Sequence, residues 1–173
     1  MIKIAITGPE SSGKTTLSEQ LAEYFGVEWV PEFAREFLLK RGGVYQKKDL
    51  DTIAKGQFDA MRNVANSDLV FYDTDLFVLK IWSEHKYNSL SPVIQNLLNK
   101  QKVDLYLLCK PDLPWEEDPL RENPNDRDVL YDLYLDALKE KDVTFSIVSG
   151  LPDERIAHAI ATVETFVKNK KNL

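Results

Sequence analysis

Residues 8–15 read Gly8-Pro9-Glu10-Ser11-Ser12-Gly13-Lys14-Thr15, the spacing G-x-x-x-x-G-K-[ST]. Each residue type in that pattern has a physical reason to be there. The glycines let the backbone curl until several N–H groups face one anion. The lysine reaches the β- and γ-phosphates, and the threonine hydroxyl ligates Mg²⁺. Gly8, Glu10, Ser11, Ser12, Gly13, Lys14, Thr15 and Thr16 are therefore the expected nucleotide-binding residues, with ATP and Mg²⁺ as the expected cofactors. The alternative is a glycine turn with no ligand. With glycine at about 7% of residues on average, the full pattern arises by chance in under about 1% of chains this long.

Such a loop works only when an element holds it at each end. Ile2 to Thr7 is an apolar strand, and Thr15 to Phe25 places Leu17, Leu21, Ala22 and Phe25 on one helical face. Strand, glycine loop and helix N-terminus together make an anion site. The alternation continues along the chain. A short strand at Val27–Val30 is stopped by Pro31, and helical stretches follow at about Phe33–Lys40 and Asp49–Asn66, separated by Gly42-Gly43. Further strands fall at Asp68–Asp73, Val103–Cys109 and Val143–Val148. Asp75 opens one helix, Ser91-Pro92 another, and Asp128 caps a helix to Glu140. Pro152-Asp153 opens the last helix, whose Ile156, Ile160, Val163 and Val167 form an apolar stripe for core packing. The expected fold is α/β, a five-stranded parallel sheet flanked by helices in one domain over residues 1–173, of the P-loop NTPase type, with a lid loop near residues 110–127.

In such sheets ligands bind at the carboxyl ends of the strands. The residues found there are acids, arginines and a tryptophan. Phosphoryl transfer to a hydroxyl needs a carboxylate to take the proton, and Glu32 and Asp73 each follow a strand close to the loop. Asp73 or Asp75 could instead hold the ion alongside Thr15. Helix capping is the alternative for Glu32 and Asp75. In the 110–127 stretch, Arg121 and Arg127 could close guanidinium charge over a transferring phosphoryl group, or could be ion-paired in a solvated loop. Trp115 could stack on a planar ring, or pack on its own loop. His85 and His158 lack metal-ligand partners at useful spacing and read as structural or surface residues.

The chain has 173 residues and a net charge of −6, which argues against a broad nucleic-acid surface and for a small substrate. The single cysteine, Cys109, lies in an apolar run and suits buried filler in a reducing, cytoplasmic protein. No signal peptide precedes the loop, and no apolar stretch is long enough for a bilayer. The lysines near the C-terminus read as a solvated helix end. Oligomeric state is left open, a homo-oligomer included.

Taken together, these elements resemble the ribosylnicotinamide kinase domain of NadR-type bacterial proteins of NAD synthesis, a P-loop nucleoside kinase-like group. The likeness rests on Gly8 to Leu17, on Glu32-Phe33-Ala34-Arg35-Glu36-Phe37, on Gly56-Gln57, on Asp73-Thr74-Asp75, and on Trp115, Asp118 and Arg121. The resemblance implies transfer of the ATP γ-phosphoryl group to the 5′-hydroxyl of nicotinamide riboside. It places Glu32, Asp73 and Trp115 at the nucleoside with Arg35 nearby, Asp118 on the ribose or organising the lid, and Arg121 and Arg127 in the lid. Asp75 joins the substrate set, and Ser149 to Asp153 approaches the adenine. It covers the kinase domain, without the DNA-binding and adenylyltransferase domains of NadR-type proteins. Pro119 and Glu122-Asn123-Pro124-Asn125 depart from the pattern, so a kinase for another nucleoside or deoxynucleoside stays open, as does an ATPase or switch with no acceptor.

Overall fold

A computed structural model describes residues 1–64 and 67–172. Five parallel strands, β1 (Ile2–Thr7), β2 (Trp29–Val30), β3 (Leu69–Asp73), β4 (Leu105–Cys109) and β5 (Phe145–Val148), lie in the order β2-β3-β1-β4-β5. Side chains alternate between the sheet faces with a period of two. Ile4, Ile6, Phe71, Leu107 and Cys109 pack on one side with α1 (Lys14–Phe25) and α7 (Pro152–Lys171). Ala5, Val70, Tyr72, Tyr106 and Leu108 pack on the other. That second face is covered by α2 (Phe33–Leu39), α3 (Asp49–Arg62), α4 (Leu76–Tyr87), α5 (Pro92–Lys100) and α6 (Arg127–Glu140). The near-continuous apolar strands follow from burial on both faces.

Differences from the sequence expectation have local causes. The β2 strand is two residues long because the Val27 N–H is taken by the Ala22 carbonyl, closing the C-terminus of α1 around Gly26. Helix α6 begins at Arg127 with Asp126 at the N-cap position, so Asp128 sits in the first turn and does not cap it. Helix α3 ends at Arg62 with Asn63 at its C-cap, short of the expected end, and residues 65 and 66 lie outside the described residues. Ser91 does cap α5, accepting a 3.1 Å hydrogen bond from the Ile94 N–H, with Pro92 at the first helical position. Among the described residues no helix is long and apolar enough to cross a membrane.

Candidate active site

Strand β1 lies between β3 and β4, and the loop that leaves it opens at the carboxyl edge where the chain reverses its winding. Gly8 has φ +136°, and a Cβ there would stand 2.6 Å from the Cys109 carbonyl oxygen, so only glycine fits. The Lys14 ammonium and the Ser12 hydroxyl each donate to the Pro9 carbonyl, both at 2.8 Å. Thr15 donates its hydroxyl to Asp73 Oδ2 at 2.6 Å, while Asp73 Oδ1 is buried with no hydrogen-bond partner. Burial raises the Asp73 pKa against the pull of Thr15 and Lys14. A buried carboxylate oxygen without a donor, beside the loop threonine, fits a hard cation. Among the described residues no cluster of three His, Cys, Asp or Glu could cage a metal unaided. That suits Mg²⁺, which binds through few protein groups plus phosphate oxygens and water.

Asp73 and Asp75 take different partners, with Thr74, a β-branched residue, held at φ +70° between them. Asp75 is fully buried and accepts hydrogen bonds from Gln101 Nε2 at 2.8 Å and from the Thr7 hydroxyl at 3.3 Å. Its carboxyl, pushed up to about 6 by burial, is spent on the fold. Asp75 makes no part of the cavity wall. Glu32 behaves differently. It holds the N-cap position of α2 but makes no side-chain cap bond, because Gln57 Oε1 accepts the Phe33 N–H at 2.8 Å instead. The Glu32 carboxyl lines the cavity, pushed up to about 7 by burial, with Lys14 and Arg35 opposing and Asp73 reinforcing.

Residues 110–126 hold no helix or strand, and the stretch lies against the phosphate loop. Ser11, at φ +53°, is the seat of this contact. Its hydroxyl accepts from the Glu116 N–H at 2.9 Å and from Arg121 Nη1 at 3.3 Å. Its carbonyl accepts from Arg127 Nη1 at 3.1 Å. The Glu10 carboxylate accepts the N–H groups of Glu122 and Asn123 at 3.0 and 2.9 Å. Glu10 and Ser11 thus grip the lid with their side chains. Trp115 is half-buried and absent from the cavity wall, with the guanidinium groups of Arg121 and Arg127 at 6.0 and 5.7 Å from its ring. It packs beside the lid arginines, and its indole Nε1 is buried without a hydrogen-bond partner. Asp118 accepts from Arg35 Nη2 at 2.7 Å and from the Leu120 N–H at 2.9 Å.

These parts surround one cavity of about 990 Å³, at the upper end of the range for small-molecule sites. It is lined by the phosphate loop, Pro152 and Arg155 of α7, Ala34, Arg35 and Leu38 of α2, Leu130 and Tyr134 of α6, and lid residues 120–123. Helix α4 contributes Val78, Ile81, Trp82, His85 and Lys86, which recur at helical spacing and so form a single stripe. Sequence reading missed this stripe, and it placed His85 outside the site. It also missed Arg155, which is buried in the first turn of α7, ion-paired to Asp112, and donates to the Ser12 carbonyl at 2.6 Å. Asp112 in turn accepts the Gly150 N–H at 2.7 Å, tying the loop after β5 to the phosphate loop.

Known proteins resemble the chain at both levels. The trifunctional NAD biosynthesis/regulator protein NadR of Salmonella typhimurium LT2 is 31% identical over 151 residues, 82% of this chain. Its counterpart in Escherichia coli K12 is 30% identical over the same share. The chain spans 37% of the length of these relatives. Among solved structures, NadR protein in complex with NAD and AMP-PNP superposes with a TM-score of 0.82 at 23% identity, over 96% of this chain and 49% of that one. Deoxyadenosine kinase from M. mycoides superposes at 0.68 with 16% identity, over 95% of this chain and all of that one. These structures share the fold. The AAA domain family matches residues 3–155, and the chain belongs to it.

Proposed function

We propose that residues 1–173 form a kinase domain that transfers the γ-phosphoryl group of ATP to the 5′-hydroxyl of nicotinamide riboside, giving nicotinamide mononucleotide. The observation that carries this reading is Glu32, a carboxylate raised to about 7, in the same cavity as Lys14 and the phosphate loop. A group poised near neutral pH is suited to accept the hydroxyl proton as the oxygen attacks phosphorus. An ATPase needs no such group to activate an acceptor hydroxyl. The identity to NadR proteins supports the choice of nucleoside.

Lys14 and the loop N–H groups hold the phosphates, and Arg121 and Arg127 bring positive charge from the lid. Thr15 and Asp73 would hold Mg²⁺, which when bound neutralises phosphate charge. Arg35 stands at the acceptor wall, tied to Asp118. The partner is a small nucleoside rather than a nucleic acid or membrane, and the setting is the cytoplasm. The test is ADP production from ATP and Mg²⁺ with and without nicotinamide riboside, beside a panel of other nucleosides. Strong stimulation by nicotinamide riboside, with the mononucleotide as product, is expected. Equal turnover with and without any nucleoside overturns the kinase reading. Lys14→Ala should abolish transfer while its circular dichroism stays that of the parent.

A further inference from the structure

The lid segment Glu122-Asn123-Pro124-Asn125, like Pro119, departs from the family likeness. In the structure Glu122 touches two walls of the cavity at once. Its backbone N–H, with that of Asn123, is held by the Glu10 carboxylate of the phosphate loop. Its side chain accepts from the Lys86 ammonium of α4 at 2.8 and 2.7 Å and from the Tyr45 hydroxyl at 2.7 Å. Tyr45 in turn accepts from Trp82 Nε1 at 2.9 Å and from Lys86. Tyr45 packs edge-on against Trp82, with ring centres 4.9 Å apart. Trp82 and Lys86 belong to the cavity stripe of α4. One residue therefore joins the donor loop to the acceptor wall, immediately beside Arg121.

We propose that Glu122 is a positioning residue which, paired with Lys86 and Tyr45, locks the lid across the acceptor compartment and so sets Arg121 at the phosphate loop. The inference rests on the kinase reading for its catalytic consequence but not for the lock itself. When the lock is made, the cavity is closed between α4 and the lid, and water is kept from the γ-phosphoryl group. When it is broken, Arg121 loses its fixed placement and water competes with the acceptor hydroxyl. Lys86 is well suited to the part, because Glu122 and Tyr45 together outweigh the burial that works against its charge and raise its pKa.

The experiment uses Glu122→Gln, Lys86→Met, the double variant, and the exchanged pair Lys86→Glu/Glu122→Lys. Each single variant should raise the acceptor KM and lower kcat, by about tenfold together. Each should raise the fraction of ATP lost as free phosphate and leave the KM for ATP within about twofold. The double variant should cost no more than either single one, and the exchanged pair should recover part of the loss. Additive losses, or an unchanged ratio of hydrolysis to transfer, overturn the proposal. Hydrogen exchange of lid amides 116–123 with AMP-PNP bound is measured in parallel, without any acceptor. Faster exchange in the variants supports the lock even if no nucleoside is phosphorylated, in which case the kinase reading alone fails. Unchanged exchange in an active enzyme removes the lock and leaves the kinase.

Discussion

Glu32 concentrates the chemistry in one side chain, and its protonation gives the sharpest test. With a carboxyl at about 7, the ionised base becomes available only as pH rises through neutrality. The acceptor-dependent kcat/KM should therefore climb between about pH 6 and 8 and then level off. Glu32→Gln should lose about 10²-fold in turnover, the usual scale for a general base, and its profile should be flat over that range. A Glu32→Gln enzyme that keeps the parent's slope would assign the base elsewhere, with Asp73 next in line. Residues of one type had to be told apart by surroundings that spacing does not reveal. Glu32 and Asp75 both precede helices, yet Gln57 relieves the first of capping duty, while Gln101 and Thr7 consume the second.

Helix placement decides how accurately that base is held. Gly56 of α3 lies under Phe33, the first residue of α2, and a Cβ there would come within 2.3 Å of the ring. Gly56→Ala should gain up to about 1 kcal/mol of helix propensity. Overpacking costs about 1–3 kcal/mol, so the net effect is a loss of stability. The displaced Phe33 carries Glu32 with it. A lowered melting temperature together with a roughly tenfold or larger fall in kcat/KM is expected. An active, stabilised variant would show that α2 does not depend on this contact. Elements were far more legible in the sequence than walls. The phosphate loop, the five strands and the cap at Ser91 were all readable from spacing. The stripe Val78, Ile81, Trp82, His85 and Lys86 reads as an ordinary amphipathic face, because a residue facing a cavity and one facing a core obey the same helical period. The packing of Trp115 against the lid arginines was hidden for a related reason, since lid contacts such as Arg127 to Ser11 join residues 116 positions apart.

The molecule as a whole carries buried acids at one edge of its sheet, and their ionisation is a cost to folding. Glu32 at about 7 and Asp75 at about 6 hold their protons in the folded chain well above the ordinary carboxylate range, and burial raises Asp73 in the same sense. For a group whose pKa is raised by folding, its share of stability is complete below the unfolded pKa and is lost as pH climbs through the folded value. In the ligand-free protein these three acids should therefore lower the melting temperature as pH rises from about 5 to 8. Glu32→Gln isolates one contribution. It should melt above the parent at pH 8 and lose that advantage by pH 5. An unchanging difference would mean that the Glu32 site does not penalise charge. The helices on both faces follow from a strand–helix alternation that a parallel sheet demands. The share of stability given up at the site could not be read without the fold.

The close approach of Gly8 to the Cys109 carbonyl has a practical use. Cys109 is fully buried at the end of β4, and burial pushes its thiol up to about 11. It is the only cysteine among the 173 residues. A thiol-specific reagent can reach it only when the sheet and the phosphate loop separate. The labelling rate of the native protein is thus a clock for opening of the site's foundation, and it should slow when a nucleotide is bound. Cys109 then reports donor binding in a protein for which no acceptor has yet been supplied.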